Sequence, residues 1–296
     1  MEKEKIDYHK IYSPSKLEMF EKCPKSYHFY YLDPIYSKMK SELKKMPENI
    51  FSFYTLGRAV HNAITLFFHA PKEEQNWENL KKILKETWTS EFQWNKKPPL
   101  GEWGGFKNLE EEKDAYKQAL LMLKNFFRMR AKNLKIEYLP TPDLRHSIQD
   151  YQNLIKPLNE NFDISGKFDL IIQNEDETLH VVDFKTGKNE NNNNFQLKFY
   201  KVLAEENFKK PVSKASFYFL KSGSVKAFNL NNQTTKNLKR EILEKIDLIN
   251  QTKEFKPRPS SLCKFCLFKN FCPEKDKVKE YIKNFKEEDF VDDLPF

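Results

Sequence analysis

One short run limits the architecture of this chain more than any other: residues 179–185, LHVVDFK, in which an apolar strand pattern carries an aspartate and a lysine. A period of two puts Leu179, Val181, Asp183 and Lys185 on a single face. Asp and Lys are rarely buried without a partner, so a strand that carries both beside its core residues needs a use for the charges. Upstream, residues 163–172 alternate in the same way, with Ile164, Phe168, Leu170 and Ile172 on one side and Lys167, Asp169 and Ile171 on the other. The polar run 173–178 between them is a turn. The spacing therefore predicts two strands, each bearing one acid, Asp169 and Asp183.

Two strand-borne carboxylates are hard oxygen ligands of the kind Mg²⁺ or Mn²⁺ takes, with positions left for water and a phosphate oxygen. Lys185, two residues beyond Asp183, can lie against an attacking water or a phosphate. The chemistry this suits is metal-assisted hydrolysis of a phosphodiester. After Gly187 and an Asn-rich loop, Gln196 and Tyr200 stand four apart on a predicted helix and share a face.

The order G-x-x-D (166–169), D-x-K (183–185) and Q-x-x-x-Y (196–200) resembles the PD-(D/E)XK nuclease superfamily in its RecB-like branch. D-x-K alone is a weak signal in a lysine-rich chain; the three motifs in sequence carry the resemblance. The bland reading of the same residues is a salt-bridged surface hairpin followed by an ordinary helix. The resemblance implies an α/β, restriction-endonuclease-like fold: a central mixed sheet flanked by helices, with a helical insertion and a metal-clipped C-terminal segment. It implies catalytic roles for Asp169, Asp183, Lys185, Gln196 and Tyr200. The implied activity is that of a DNA nuclease, an exonuclease on single-stranded or end-containing DNA in recombination or repair. A nuclease of CRISPR adaptation and a non-catalytic DNA-binding scaffold are the alternatives.

Residues 51–69 predict a helix with Gly57, Arg58 and His61 among apolar neighbours. A histidine on such a helix is commonly a satisfied core residue. The G-x-x-x-H spacing resembles the family's motif, which implies His61 as a further metal ligand beside Asp169 and Asp183. The family's upstream acid has no clear counterpart: Gln149 and Asp150 fall near its place and Glu137 lies farther back.

The chain has four cysteines, Cys23, Cys263, Cys266 and Cys272, the last three spaced C-x2-C-x5-C. Cys23 ends a predicted helix begun by Ser13 and Pro14, at the Pro24 break. A cytosolic setting disfavours disulfides, and on ligand chemistry alone zinc and a [4Fe-4S] cluster both fit four thiolates. One cysteine far upstream and three near the end is similar to the iron-sulfur-containing RecB-like nucleases, which implies [4Fe-4S]. Either metal would tie residues 255–275 to the first helix.

The formal charge is +8, although the last ten residues hold five acids and no base. A basic body suits a polyanion such as DNA. The reading is one nuclease domain over residues 1–280, with a helical insertion at about 72–135, and a flexible acidic tail at 281–296. Within the insertion, Trp94, Trp103 and Phe106 among lysines either stack bases of single-stranded DNA or dock their loop on the body. The tip from Asp292 to Phe296, DDLPF, resembles the C-terminal tip of bacterial single-stranded-DNA-binding proteins, which implies a helicase or repair protein as partner. There is no apolar run long enough to span a membrane and no secretory signal, so a cytoplasmic protein is expected.

Overall fold

The computed structural model describes residues 7–93, 95–131, 133–141, 154–187 and 194–285. The chain begins with β1 (Ile11–Tyr12) and α1 (Pro14–Lys22), capped by the Ser13 hydroxyl, which accepts from the Lys16 amide at 3.2 Å. At Cys23 the backbone turns extended, and Pro24 opens α2 (Pro24–Tyr27). This short helix runs into one π-helical turn (His28–Leu32), followed by α3 (Tyr36–Lys44) and the largely buried α4 (Ser52–His69). Two amphipathic helices, α5 (Trp77–Thr87) and α6 (Leu109–Met129), start at Asn76 and Asn108, whose side chains cap them.

Then come β2 (Ile136–Tyr138), β3 (Lys156–Pro157), β4 (Asp163–Ile164), β5 (Leu170–Gln173), β6 (Leu179–Lys185), α7 (Phe195–Phe208), β7 (Val212–Phe219) and β8 (Ser224–Asn229). Helices α8 (Thr235–Gln251) and α9 (Lys275–Lys283) follow.

Five strands form a mixed sheet in the order β2-β5-β6-β7-β8, in which only β6 and β7 are parallel. Helix α7 is the crossover between those two, as a parallel pair requires. Six of the seven residues of β6 are buried, because helices cover both faces. On one face Val181 and Phe217 pack with α1, α7 and α8; on the other Val182 and Phe184 pack with α4, α5 and α6. The result is the α/β, restriction-endonuclease-like architecture.

Three expectations need correction. The alternating run 163–172 is two strands, not one. Its first part, β4, pairs with β1 and β3 in a separate three-stranded sheet. The chain then passes Gly166, where a Cβ would meet Tyr200 Cε1 at 2.9 Å, and only β5 joins the larger sheet. The helical insertion, expected to run to about 135, ends its last helix at Met129, where Arg130 turns extended and lays its guanidinium 3.7 Å from the Phe127 ring centroid. Of the two roles left open for Phe106, the structure shows docking: it is 4% exposed and stacks on Trp88. Trp94 lies outside the described residues. The acidic tail was expected from 281, but α9 continues to Lys283, held by buried Val278; Asp292 to Phe296 lie outside the described residues. Among the described residues, no helix is long and apolar enough to cross a membrane.

Candidate active site

The register of β5 against β6 brings the two acids together. Leu170 opposes Val182 and Ile171 opposes Val181, so the next antiparallel step sets Asp169 opposite Asp183 at the strand end. The Phe184 amide donates to Asp169 Oδ2 at 2.8 Å, which fixes that carboxylate across the strands. No side-chain pattern in the sequence announces this backbone donor.

Helices from both layers meet this strand end. From α4, His61 Nδ1 lies 3.0 Å from Asp169 Oδ1. One turn earlier on α4, a Cβ on Gly57 would stand 3.1 Å from Thr186 Oγ1. The absence of a side chain at 57 therefore lets α4 close on the loop directly after Lys185.

From α7, Gln196 organises the other half. Its Nε2 donates to Asp183 Oδ1 at 3.1 Å and to the Tyr200 hydroxyl at 3.2 Å, and its Oε1 accepts from Lys185 Nζ at 2.7 Å. Lys185 Nζ also lies 3.1 Å from Asp183 Oδ2. The two hydrogen-bond roles of the amide leave Gln196 one orientation.

Burial and charge set the protonation states here. Asp183, 6% exposed, is pushed up to about 6, first by desolvation and then by the Asp169 carboxylate, against the opposing pull of Lys185. Burial lowers the His61 pKa, but the Asp169 and Asp183 charges outweigh it and the net shift is upward. Tyr200 is raised, mainly by desolvation and then by Asp183, so it remains a neutral phenol.

All five residues predicted as catalytic, and His61, thus gather at one end of β6. Glu137 does not join them: it pairs with Lys210 at 2.7 Å. Gln149 and Asp150 lie outside the described residues.

The four cysteines, all free thiols, line a single cavity with Phe29, Phe268 and Arg258. The Arg258 amide donates to Cys23 Sγ at 3.5 Å and the Ser260 amide to Cys263 Sγ at 3.3 Å. Burial raises the thiol pKa of Cys263, Cys272 and, up to about 12, Cys266. Among the described residues, no three His, Cys, Asp or Glu side chains are spaced as a finished metal-binding group. The carboxylate pair instead closes on Lys185, Gln196 and His61, and the thiols share their cavity without converging.

The donor sets nevertheless fit the groups expected. Carboxylate oxygens and an imidazole nitrogen suit Mg²⁺ or Mn²⁺, and the raised Asp183 marks a carboxylate that burial has stripped of water. Four thiols with amide donors to sulfur suit a thiolate-held metal.

A family model described as the PD-(D/E)XK nuclease superfamily matches residues 11–273. No curated protein matches the chain.

Proposed function

The chain belongs to the PD-(D/E)XK nuclease superfamily, and from that premise we propose that it is a metal-dependent deoxyribonuclease whose reacting groups are gathered at the end of β6. The observation that carries this reading is the joint placement of Asp169, Asp183 and Lys185, linked through Gln196. Asp169, Asp183 and His61 would hold Mg²⁺ or Mn²⁺. When bound, the ion supplies Lewis acidity toward a phosphate oxygen and lowers the pKa of water.

The remaining work belongs to the protein. Lys185 directs its ammonium toward the attacking water or the scissile phosphate, where negative charge accumulates. Gln196 hydrogen-bonds both that ammonium and Asp183, and Tyr200 accepts from Gln196. The Phe184 amide and His61 fix Asp169.

We assign the chain to the RecB-like branch, as an exonuclease on single-stranded or end-containing DNA in recombination or repair, and place it in the cytoplasm. Cys23, Cys263, Cys266 and Cys272 would hold a structural [4Fe-4S] cluster that clips residues 255–275 to the start of the domain. The shared cavity and the amide donors to sulfur support this. The test is degradation of end-labelled single-stranded, duplex and circular DNA with Mg²⁺ or Mn²⁺. Loss of linear single strands by the wild type and not by Asp183→Ala supports the reading. Equal degradation by both removes Asp183 from the chemistry and the reading with it.

A further inference from the structure

Helix α4 extends beyond the reacting groups toward a strip of tyrosines and lysines. Tyr54 lies two turns before His61 on the same helical face, about 10 Å along the axis. Burial raises the pKa of its hydroxyl, and the neighbouring Tyr30 and Glu91 add to the rise. Tyr30 and Tyr31 sit side by side on the π-helical turn, ring centroids 4.9 Å apart. Such turns are rare and concentrate at functional sites.

Helix α3 covers these rings with cations. Lys40 Nζ stands 4.8 Å from the Tyr30 centroid and 5.6 Å from that of Tyr31, and Lys44 stands 5.6 Å from Tyr30. Some helix-surface lysines have a carboxylate beside them: Lys45 with Glu42, Lys81 with Glu78, Lys117 with Asp114. Lys40 and Lys44 have no ion-pair partner among the described residues. Both face the same tyrosine, and the Lys44 charge adds to burial in lowering the Lys40 pKa. Rings partly exposed at the surface, beside ammoniums with no described ion-pair partner, match the base faces and phosphates of an unpaired strand. A duplex keeps its bases stacked and offers no face to a ring.

We propose that Tyr54, Tyr30 and Tyr31 with Lys40 and Lys44 form a track for single-stranded DNA that leads into the site at the end of β6. This rests on the deoxyribonuclease reading and names the form of substrate it takes. The tyrosines stack bases and the two lysines contact phosphates.

The experiment is fluorescence anisotropy of a labelled oligo-dT strand and of a blunt duplex, in EDTA so that nothing is cleaved. Variants are Tyr30→Leu, Tyr30→Phe, Lys40→Gln with Lys44→Gln, and Lys81→Gln as the control; Lys81 lies over Trp77 on α5. Tyr30→Leu is expected to weaken oligo-dT binding about fivefold or more, with Tyr30→Phe restoring it. The double lysine variant is expected to flatten the slope of log K against log salt by about 1.4, two phosphates at about 0.7 each. Lys81→Gln changes neither. The lysine pair is surface-exposed enough to fold if Tyr30→Leu does not.

Oligo-dT affinity and salt slope that match wild type in the folded variants overturn the track, as do equal losses on the duplex. Because binding is read without cleavage, the two readings fail separately. A chain that binds through these residues yet cleaves nothing with Mg²⁺ or Mn²⁺ sinks the nuclease reading alone. One that cleaves but ignores the substitutions sinks only the track.

Discussion

Replacing Asp183 by asparagine should make the metal-free protein more stable at neutral pH while abolishing its activity. The folded chain holds Asp183 at about 6, against an ordinary value of 3.8. Between those values the folded state keeps a proton that the unfolded state has released, so stability falls as pH rises through that window. The full difference of roughly two pKa units amounts to about 3 kcal/mol of destabilisation above pH 6, at 1.36 kcal/mol per unit. Asparagine has the shape of the protonated acid, and its Oδ1 still accepts from Gln196 Nε2. The variant should therefore gain about 3 kcal/mol over wild type at pH 7.5 in EDTA and almost nothing at pH 3.5. The assay is urea unfolding of both proteins from pH 3.5 to 8 in EDTA, repeated with Mn²⁺. Metal should stabilise wild type and narrow the gap, since a ligand that binds only the folded state adds to its stability. A variant less stable than wild type at pH 7.5, or a gap that does not change with pH, would refute the picture of a desolvated carboxylate beside a second acid at the strand end.

Three further outcomes are expected. Gly166→Ala puts a methyl 2.9 Å from Tyr200 Cε1 and 3.0 Å from Leu203 Cδ2, and should cost about 1–3 kcal/mol in chemical denaturation; no loss would mean that α7 yields freely. Gln196→Ala should lower kcat roughly 10- to 100-fold with KM nearly unchanged, because it frees Lys185 and Asp183 rather than removing a substrate contact; a rise in KM alone would make Gln196 a DNA-binding residue. Cys23→Ala should bleach the visible absorbance of the purified protein and lower stability by up to about 5 kcal/mol, the loop-closure value for a link across roughly 240 residues. Wild-type colour and stability in that variant would exclude Cys23 as a ligand.

Much of the reacting centre was legible in the sequence because its residues belong to regular elements. A period of two put Asp183 and Lys185 on one face of β6, and a helical repeat put Gln196 and Tyr200 on one face of α7; both spacings survive tertiary packing. What failed was the choice of partner. Alternation in 163–172 is satisfied whether a strand pairs with β6 or with β1, so the sequence could not reveal the split at Gly166. Glu137 looked free to reach a metal because nothing near it in sequence shows that Lys210, 73 residues on, takes its carboxylate. The π-helical turn carries no composition signal of its own, and the Phe184 amide that fixes Asp169 is a backbone group. Local rules place side chains on faces, and long-range contacts decide which face meets which.

The central claim is that Asp169 and Asp183 together hold a divalent ion, and Mn²⁺ titration by calorimetry tests it most directly. Wild type should bind Mn²⁺ at a site that disappears in both Asp169→Asn and Asp183→Asn, with each variant still folded. Binding of the same stoichiometry and affinity in either variant would place the metal elsewhere and contradict the account.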